Sequence, residues 1–303
     1  MILLLGPGLG AAAWAAEIPT EGSTSALSTV LSIVDLGFSA CGVGLLGWWI
    51  LRRPHPVRSG GWFASAPDRP NELREDAVMF AVFAYLLAAA LLALVVGLVI
   101  GDQPGVRGSL VVNNGAHVAG VAACLAIARR RVPGGWRRLV LGGREGKPVR
   151  AWRLALGVLL LSLGLCPLVR DLAGHVLLWL RPGYQFPSHP TIEALHDPSV
   201  SWGVASALWL GALIVAPAAE EIFFRGFVQT FLLNVTGRRW AAIVMASTAF
   251  GLVHVRQPQA VAALFVLGVL LGYAYERTGS LLPPIAAHAM FNFKTLVWDA
   301  LSR

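Results

Sequence analysis

The chain has 303 residues, 56% of them hydrophobic and 13% charged, where soluble proteins carry about 25% charged residues. It repeatedly runs about 20 residues with hardly a charge, enough to cross a ~30 Å hydrocarbon core, which excludes a soluble globular protein and makes this an all-α, polytopic transmembrane helix bundle. The net charge of +8 does not imply a nucleic-acid partner, because the basic residues gather in two inter-segment loops, as control of membrane topology requires.

The first 16 residues, MILLLGPGLGAAAWAA, end in an A-x-A-like site at Ala13, Trp14 and Ala15, but no positive residue precedes the apolar part. A cleaved leader and a retained apolar tail are both open readings. Eight hydrophobic segments follow: Ala26 to Leu51, Ala77 to Ile100, Leu110 to Ala128, Leu154 to Leu180, Trp202 to Val235, Trp240 to His254, Ala260 to Tyr275 and Leu281 to Leu301. About eight transmembrane helices are therefore expected.

The loop after the first segment holds Arg52, Arg53, Arg58, Arg69 and Arg74, and the loop after the third holds Arg129 to Arg131, Arg137, Arg138, Arg144, Lys147, Arg150 and Arg153. The alternate loops hold little beyond Arg107 or Arg181. The positive-inside rule makes the two basic loops cytoplasmic and puts both termini outside. The Pro- and Gly-rich stretch from Val132 to Pro148 divides residues 1–150, about three helices with basic loops, from residues 151–303. Cys41, Cys124 and Cys166 fall in three different apolar runs with no zinc-like spacing, and are expected to be small buried hydrophobes.

An ionisable side chain at the bilayer centre costs at least ~2.5 to 3.5 kcal/mol, so each one in these segments needs a reason. Asp35 lies in the first segment. Asn113, Asn114 and His117 in the third read as inter-helical hydrogen-bonding groups. Arg170 and Asp171, in the fourth with His175, read as a compensating pair or a break after Pro167.

The last third differs, because its polar residues recur in separate segments: Glu220, Glu221 and Arg225, then His254, then His288 with Asn292. Glu221 and Arg225 are i,i+4 with the acid first, the favoured order for an ion pair, while Glu220 points about 100° away. His288 and Asn292 are also i,i+4 and share a face. The helix-breaking turn T-G-R-R at Thr236 to Arg239 lies midway between Glu220 and His254, 17 residues from Gly237 in each direction. An antiparallel hairpin brings those two to equal depth. His288, about nine residues or ~13 Å beyond the turn at Thr278 to Ser280, can join the same layer.

A desolvated carboxylate is a stronger base, and an imidazole can share a water with it, so Glu220 with His254 can activate water for attack on a carbonyl. Asn292 with His288 suits the resulting oxyanion. Glu221, paired with Arg225, supports the site. Glu220, His254 and His288 are also acceptable zinc ligands, but H-E-x-x-H is absent, and the chemistry favours a metal-free site with zinc as the alternative. A proton-coupled carrier, using the same buried groups as a relay, is the alternative of another class, with Pro217 as a possible break in its helix. A non-catalytic immunity or scaffold protein is another.

E-E-I-F-F-R-G (Glu220 to Gly226), F-G-L-V-H (Phe250 to His254) and H-A-M-F-N (His288 to Asn292) resemble the E-E-x-x-x-R, F-x-x-x-H and H-x-x-x-N motifs of the CPBP family of intramembrane proteases. That family includes the CAAX prenyl endopeptidases and the bacteriocin-processing and immunity proteins. The resemblance covers Trp202 to Trp298. It implies a membrane-embedded endopeptidase in which Glu220 activates water with His254, His288 and Asn292 form the oxyanion site, and Glu221 with Arg225 supports Glu220. The implied partners are the lipid bilayer and a membrane protein or hydrophobic peptide as substrate. The Ala/Leu/Gly/Arg-biased composition points to a bacterium and its cytoplasmic membrane.

Overall fold

The structure is a computed structural model, and it describes residues 26–51, 63, 73, 75–100, 105–142, 148–187 and 189–301. The leader-like first 16 residues and Arg52, Arg53, Arg58, Arg69, Arg74, Arg144 and Lys147 lie outside the described residues. All eight apolar segments form helices. We number the helices α1 (Ala26–Leu51), α2 (Glu75–Ile100), α3 (Gly105–Arg131), α4 (Gly135–Leu141), α5 (Pro148–Leu180), α6 (Pro190–His196), α7 (202–236), α8 (Arg239–Leu252), α9 (Pro258–Thr278) and α10 (Leu282–Leu301). The described residues contain no strand.

Helix limits depart from the apolar limits where charge hides a turn of helix. α5, expected from Leu154, begins at Pro148, because its first turns carry Arg150 and Arg153. Among the described residues, six helices are long and apolar enough to cross a bilayer by themselves. α8, with 14 residues, extends only ~21 Å, and α10, with 20 residues, includes Lys294 and Asp299. Both pack within the bundle. Large apolar side chains face outward along the long helices, among them Ile33 at 64% exposure and Leu98 at 78%. Such surface is stable against lipid and not against water, as an integral membrane protein requires.

α1 lies along α5, where a Cβ on Gly42 would sit 2.8 Å from the Gly164 Cα. This is a close approach that only small residues permit. α5 in turn packs on α9 and α10, and α2 pairs with α3 as a hairpin that leans on α7. One apolar core joins Ala77, Cys124, Leu139, Ile222, Phe227 and Leu281, and a second joins Cys166, Phe224, Phe250, Leu267, Leu271 and Ala287. α7 contributes to both, so the segment carrying the glutamates runs between them. Cys124 and Cys166 are buried as expected, whereas Cys41 is exposed on α1.

Polar pairs tie the helices together. Asp35 forms an ion pair with Lys294 across α1 and α10, and the Lys294 ammonium also sits 4.6 Å from the centre of the Trp298 ring. Asp299 takes His196 of α6 at 2.7 Å. The buried Gln229 amide donates to Glu276 at 2.8 Å and to the Gly272 carbonyl at 3.1 Å, pinning α7 to α9. Arg170 and Asp171 do pair, at 3.0 Å, and α5 continues through Pro167 without a break.

Pro217 does not break α7 either. The helix instead widens into a π turn at Gly211–Val215, immediately before the short α-helical stretch Ala216–Glu221, and widens again at Ile222–Gln229. A proline has no N–H to give and crowds the preceding turn, and a wider turn absorbs both effects. The Thr230 hydroxyl donates to the Arg225 carbonyl at 2.9 Å, serving one backbone oxygen of the second π stretch. Single π turns inside α-helices concentrate at functional sites, and here they bracket the two glutamates.

Candidate active site

Five helices deliver the site. Glu220 and Glu221 end the α-helical stretch of α7, and Arg225 follows one turn later. His254 stands in the turn just after α8, where its N–H donates to the Gly251 carbonyl at 3.0 Å. His288 and Asn292 lie one turn apart on α10. Tyr85 of α2 and His117 of α3 come from the hairpin on the other side of α7.

The two glutamates occupy different environments. Glu221 is fully buried and its Oε1 accepts from Arg225 at 2.9 Å, while Arg225, itself buried, also donates to the Gly268 carbonyl at 3.3 Å. The same Oε1 lies 2.9 Å from Nδ1 of His288. An ionised carboxylate only accepts, so Nδ1 carries the proton and points at Glu221. Nε2 of His288 is then turned toward Glu220, 3.8 Å from Oε2. Glu220 retains 19% side-chain exposure and lines a cleft with His254, whereas Glu221 does not.

Phe250 organises the rings. Its face receives the Arg225 guanidinium at 4.6 Å, and the imidazoles of His254 and His288 meet it edge-on at 5.2 and 5.8 Å. His254 also places Nδ1 2.8 Å from the Phe250 carbonyl. A carbonyl only accepts, so Nδ1 donates and Nε2 is the basic edge of His254. Asn292 donates one amide proton to the Ala212 carbonyl at 3.0 Å, bracing α10 against the first π turn, and has a second to give.

The cleft, of about 40 Å³, is lined by Tyr85, His117, Ala219, Glu220, Phe223, Phe224, Val253 and His254. That volume admits water beside Glu220. Glu220 and His254 thus share one cleft, and His288 bridges both glutamates. Asn292 lies one turn beyond.

Sequence reasoning left out Tyr85, Phe250 and the second partner of Glu221. Tyr85 gave a signal as the single hydroxyl in the apolar run of α2, and Phe250 opens the F-x-x-x-H pattern. Among the described residues, no three His, Cys, Asp or Glu side chains are placed to hold one metal ion. Nδ1 of His288 is committed to Glu221 and that of His254 to a carbonyl, which leaves Nε2 as the open edge of each imidazole.

The family model of the Rce1-like type II CAAX prenyl endopeptidases matches residues 202–294. That segment contains Glu220, Glu221, Arg225, His254, His288 and Asn292, and its family is one of proteases. No curated protein and no solved structure matches the chain.

Proposed function

We propose that the protein is an intramembrane endopeptidase that hydrolyses a peptide bond of a membrane protein or hydrophobic peptide with a water activated by Glu220 and His254. The observation that carries this reading is the division between the glutamates: Glu221 is neutralised by Arg225 and His288, while Glu220 faces the cleft beside His254. Glu220 is therefore the carboxylate free to take a proton.

A water between Glu220 and Nε2 of His254 donates to both acceptors, which strengthens its oxygen as a nucleophile. As that oxygen bonds to the substrate carbonyl carbon, its proton passes to Glu220 and the carbonyl oxygen becomes an oxyanion. Asn292 donates its second amide proton to that oxyanion, and His288 donates from Nε2 in its doubly protonated form, held between Glu221 and Glu220; one such donor is worth about 2.7–4 kcal/mol. Collapse of the intermediate breaks the C–N bond, and the proton held by Glu220 passes to the departing amine. Phe223, Phe224, Val253 and Ala219 line the rest of the cleft and suit an apolar side chain next to the cut bond.

This mechanism involves no metal ion. It operates in a bacterial cytoplasmic membrane, on a substrate that reaches the cleft from lipid. Purified protein reconstituted in lipid tests it: Glu220→Ala and His254→Ala each abolish cleavage while the bundle stays folded. Cleavage persisting in both would sink the reading. A proton-coupled carrier, using the same groups as a relay, would instead keep moving its solute with no peptide cut.

A further inference from the structure

The α2–α3 hairpin lies outside residues 202–294, yet it supplies two of the eight residues lining the Glu220 cleft. The Tyr85 hydroxyl is 2.9 Å from Nδ1 of His117, and both residues are buried, at 9% and 8% exposure. The rings meet edge-on with centroids 5.5 Å apart. Tyr85 also lies against Phe223 of α7, one turn after Glu220, at 6.5 Å and an interplanar angle of 34°. On α3, one turn from His117, Gly120 leaves room for the tyrosine: a Cβ there would come within 2.3 Å of its Cδ2. The pair is thus wedged at the place where α3 meets the segment bearing the glutamates.

Joining α2 to α3 is the inter-helical role expected of His117, and it uses only one of the ring nitrogens. The tyrosine occupies one nitrogen of His117. The other, Nε2, has no hydrogen-bond partner among the described residues, while the ring lines the same cleft as Glu220. An imidazole fixed at one nitrogen and open at the other is prepared to bond a ligand.

We propose that His117 is a substrate-binding residue of this cleft, its Nε2 hydrogen-bonding the peptide backbone beside the bond to be cut, and that Tyr85 is the positioning residue that sets its ring. The proposal rests on the hydrolase reading and assigns the N-terminal helices a part in it: they close the cleft on the side that the matched segment leaves open. The ligand class is a peptide whose backbone is unpaired next to the scissile bond, since a peptide group already bonded within a helix has nothing to offer His117.

The test uses full-length protein in lipid and a set of quenched-fluorescent apolar peptides, with and without a prenylated cysteine. Loss of a binding hydrogen bond in His117→Ala raises KM about 10-fold and leaves kcat within about threefold. His117→Gln, whose amide reaches a similar point, restores KM to within about threefold of wild type, and Tyr85→Phe raises it by about threefold. An unchanged KM in His117→Ala overturns the proposal. So does equal impairment of the Ala and Gln variants together with a matching loss of thermal stability, which marks a purely structural pair. Where His117→Ala does not fold, Tyr85→Phe and His117→Gln decide by the same KM comparison. Peptide cleavage that depends on Glu220 but not on His117 refutes this proposal alone, whereas no peptide cut in a Glu220-dependent way refutes the hydrolase reading and this proposal with it.

Discussion

His288 and Glu221 stand 2.9 Å apart, Nδ1 to Oε1, and this contact decides which of two adjacent glutamates is available for chemistry. With Arg225 on the same oxygen, Glu221 is held between two donors. Glu220, its neighbour in sequence, is left facing the cleft.

The two glutamates should therefore separate stability from activity. Glu221→Ala leaves the buried guanidinium of Arg225 without its carboxylate, a loss of about 3–5 kcal/mol, and should lower the unfolding temperature in detergent sharply. Glu220→Ala removes a partly open side chain and should abolish cleavage with little change in unfolding temperature. Equal destabilisation by the two substitutions would contradict the division of roles.

Asn292 is tied to the Ala212 carbonyl through one amide proton. If the second serves the oxyanion, Asn292→Ala should lower kcat by about 10²–10³ with KM nearly unchanged, because the lost contact exists in the transition state. A rise in KM at constant kcat would instead assign Asn292 to substrate binding.

Removing metal should change nothing. Protein stripped by a strong chelator is expected to keep its full cleavage rate, with bound zinc far below one ion per chain by elemental analysis. Loss of activity that added zinc restores would overturn the metal-free mechanism and would make Nε2 of His254 and of His288 the ligands beside Glu220.

The Asp35 and Lys294 pair fastens α1 to α10. Asp35→Asn and Lys294→Met should each reduce thermal stability, and the double variant should recover part of the loss, with a coupling of about 0.5–3 kcal/mol. Strictly additive losses would show that the pair does not couple the helices.

Much of this arrangement was legible in the sequence, for definite physical reasons. Hydrocarbon thickness sets the length of the long apolar runs, so all eight apolar segments were found as helices, whereas the short α4 and α6, with 7 residues each, left no such run. The equal spacing of Glu220 and His254 about Gly237 anticipated their shared cleft. The i,i+4 rule gave Glu221 to Arg225, but it could not give His288 to Glu221, a contact between helices 67 positions apart. Nor could it show Tyr85 at the cleft, since an aromatic hydroxyl in an apolar run also suits many interfaces. Pro217 signalled a disturbance in α7 without its form. A π turn keeps the helix continuous and changes its phase, and no local pattern separates that from a break.

The central claim is that Glu220 cuts membrane substrates, and the most direct measurement compares the membrane proteomes of cells carrying the wild type or Glu220→Ala. The account predicts that at least one membrane protein or apolar peptide accumulates uncut in the variant, with loss of the new terminus seen in wild type. Identical termini across both membranes, with both proteins present at equal levels, would contradict it.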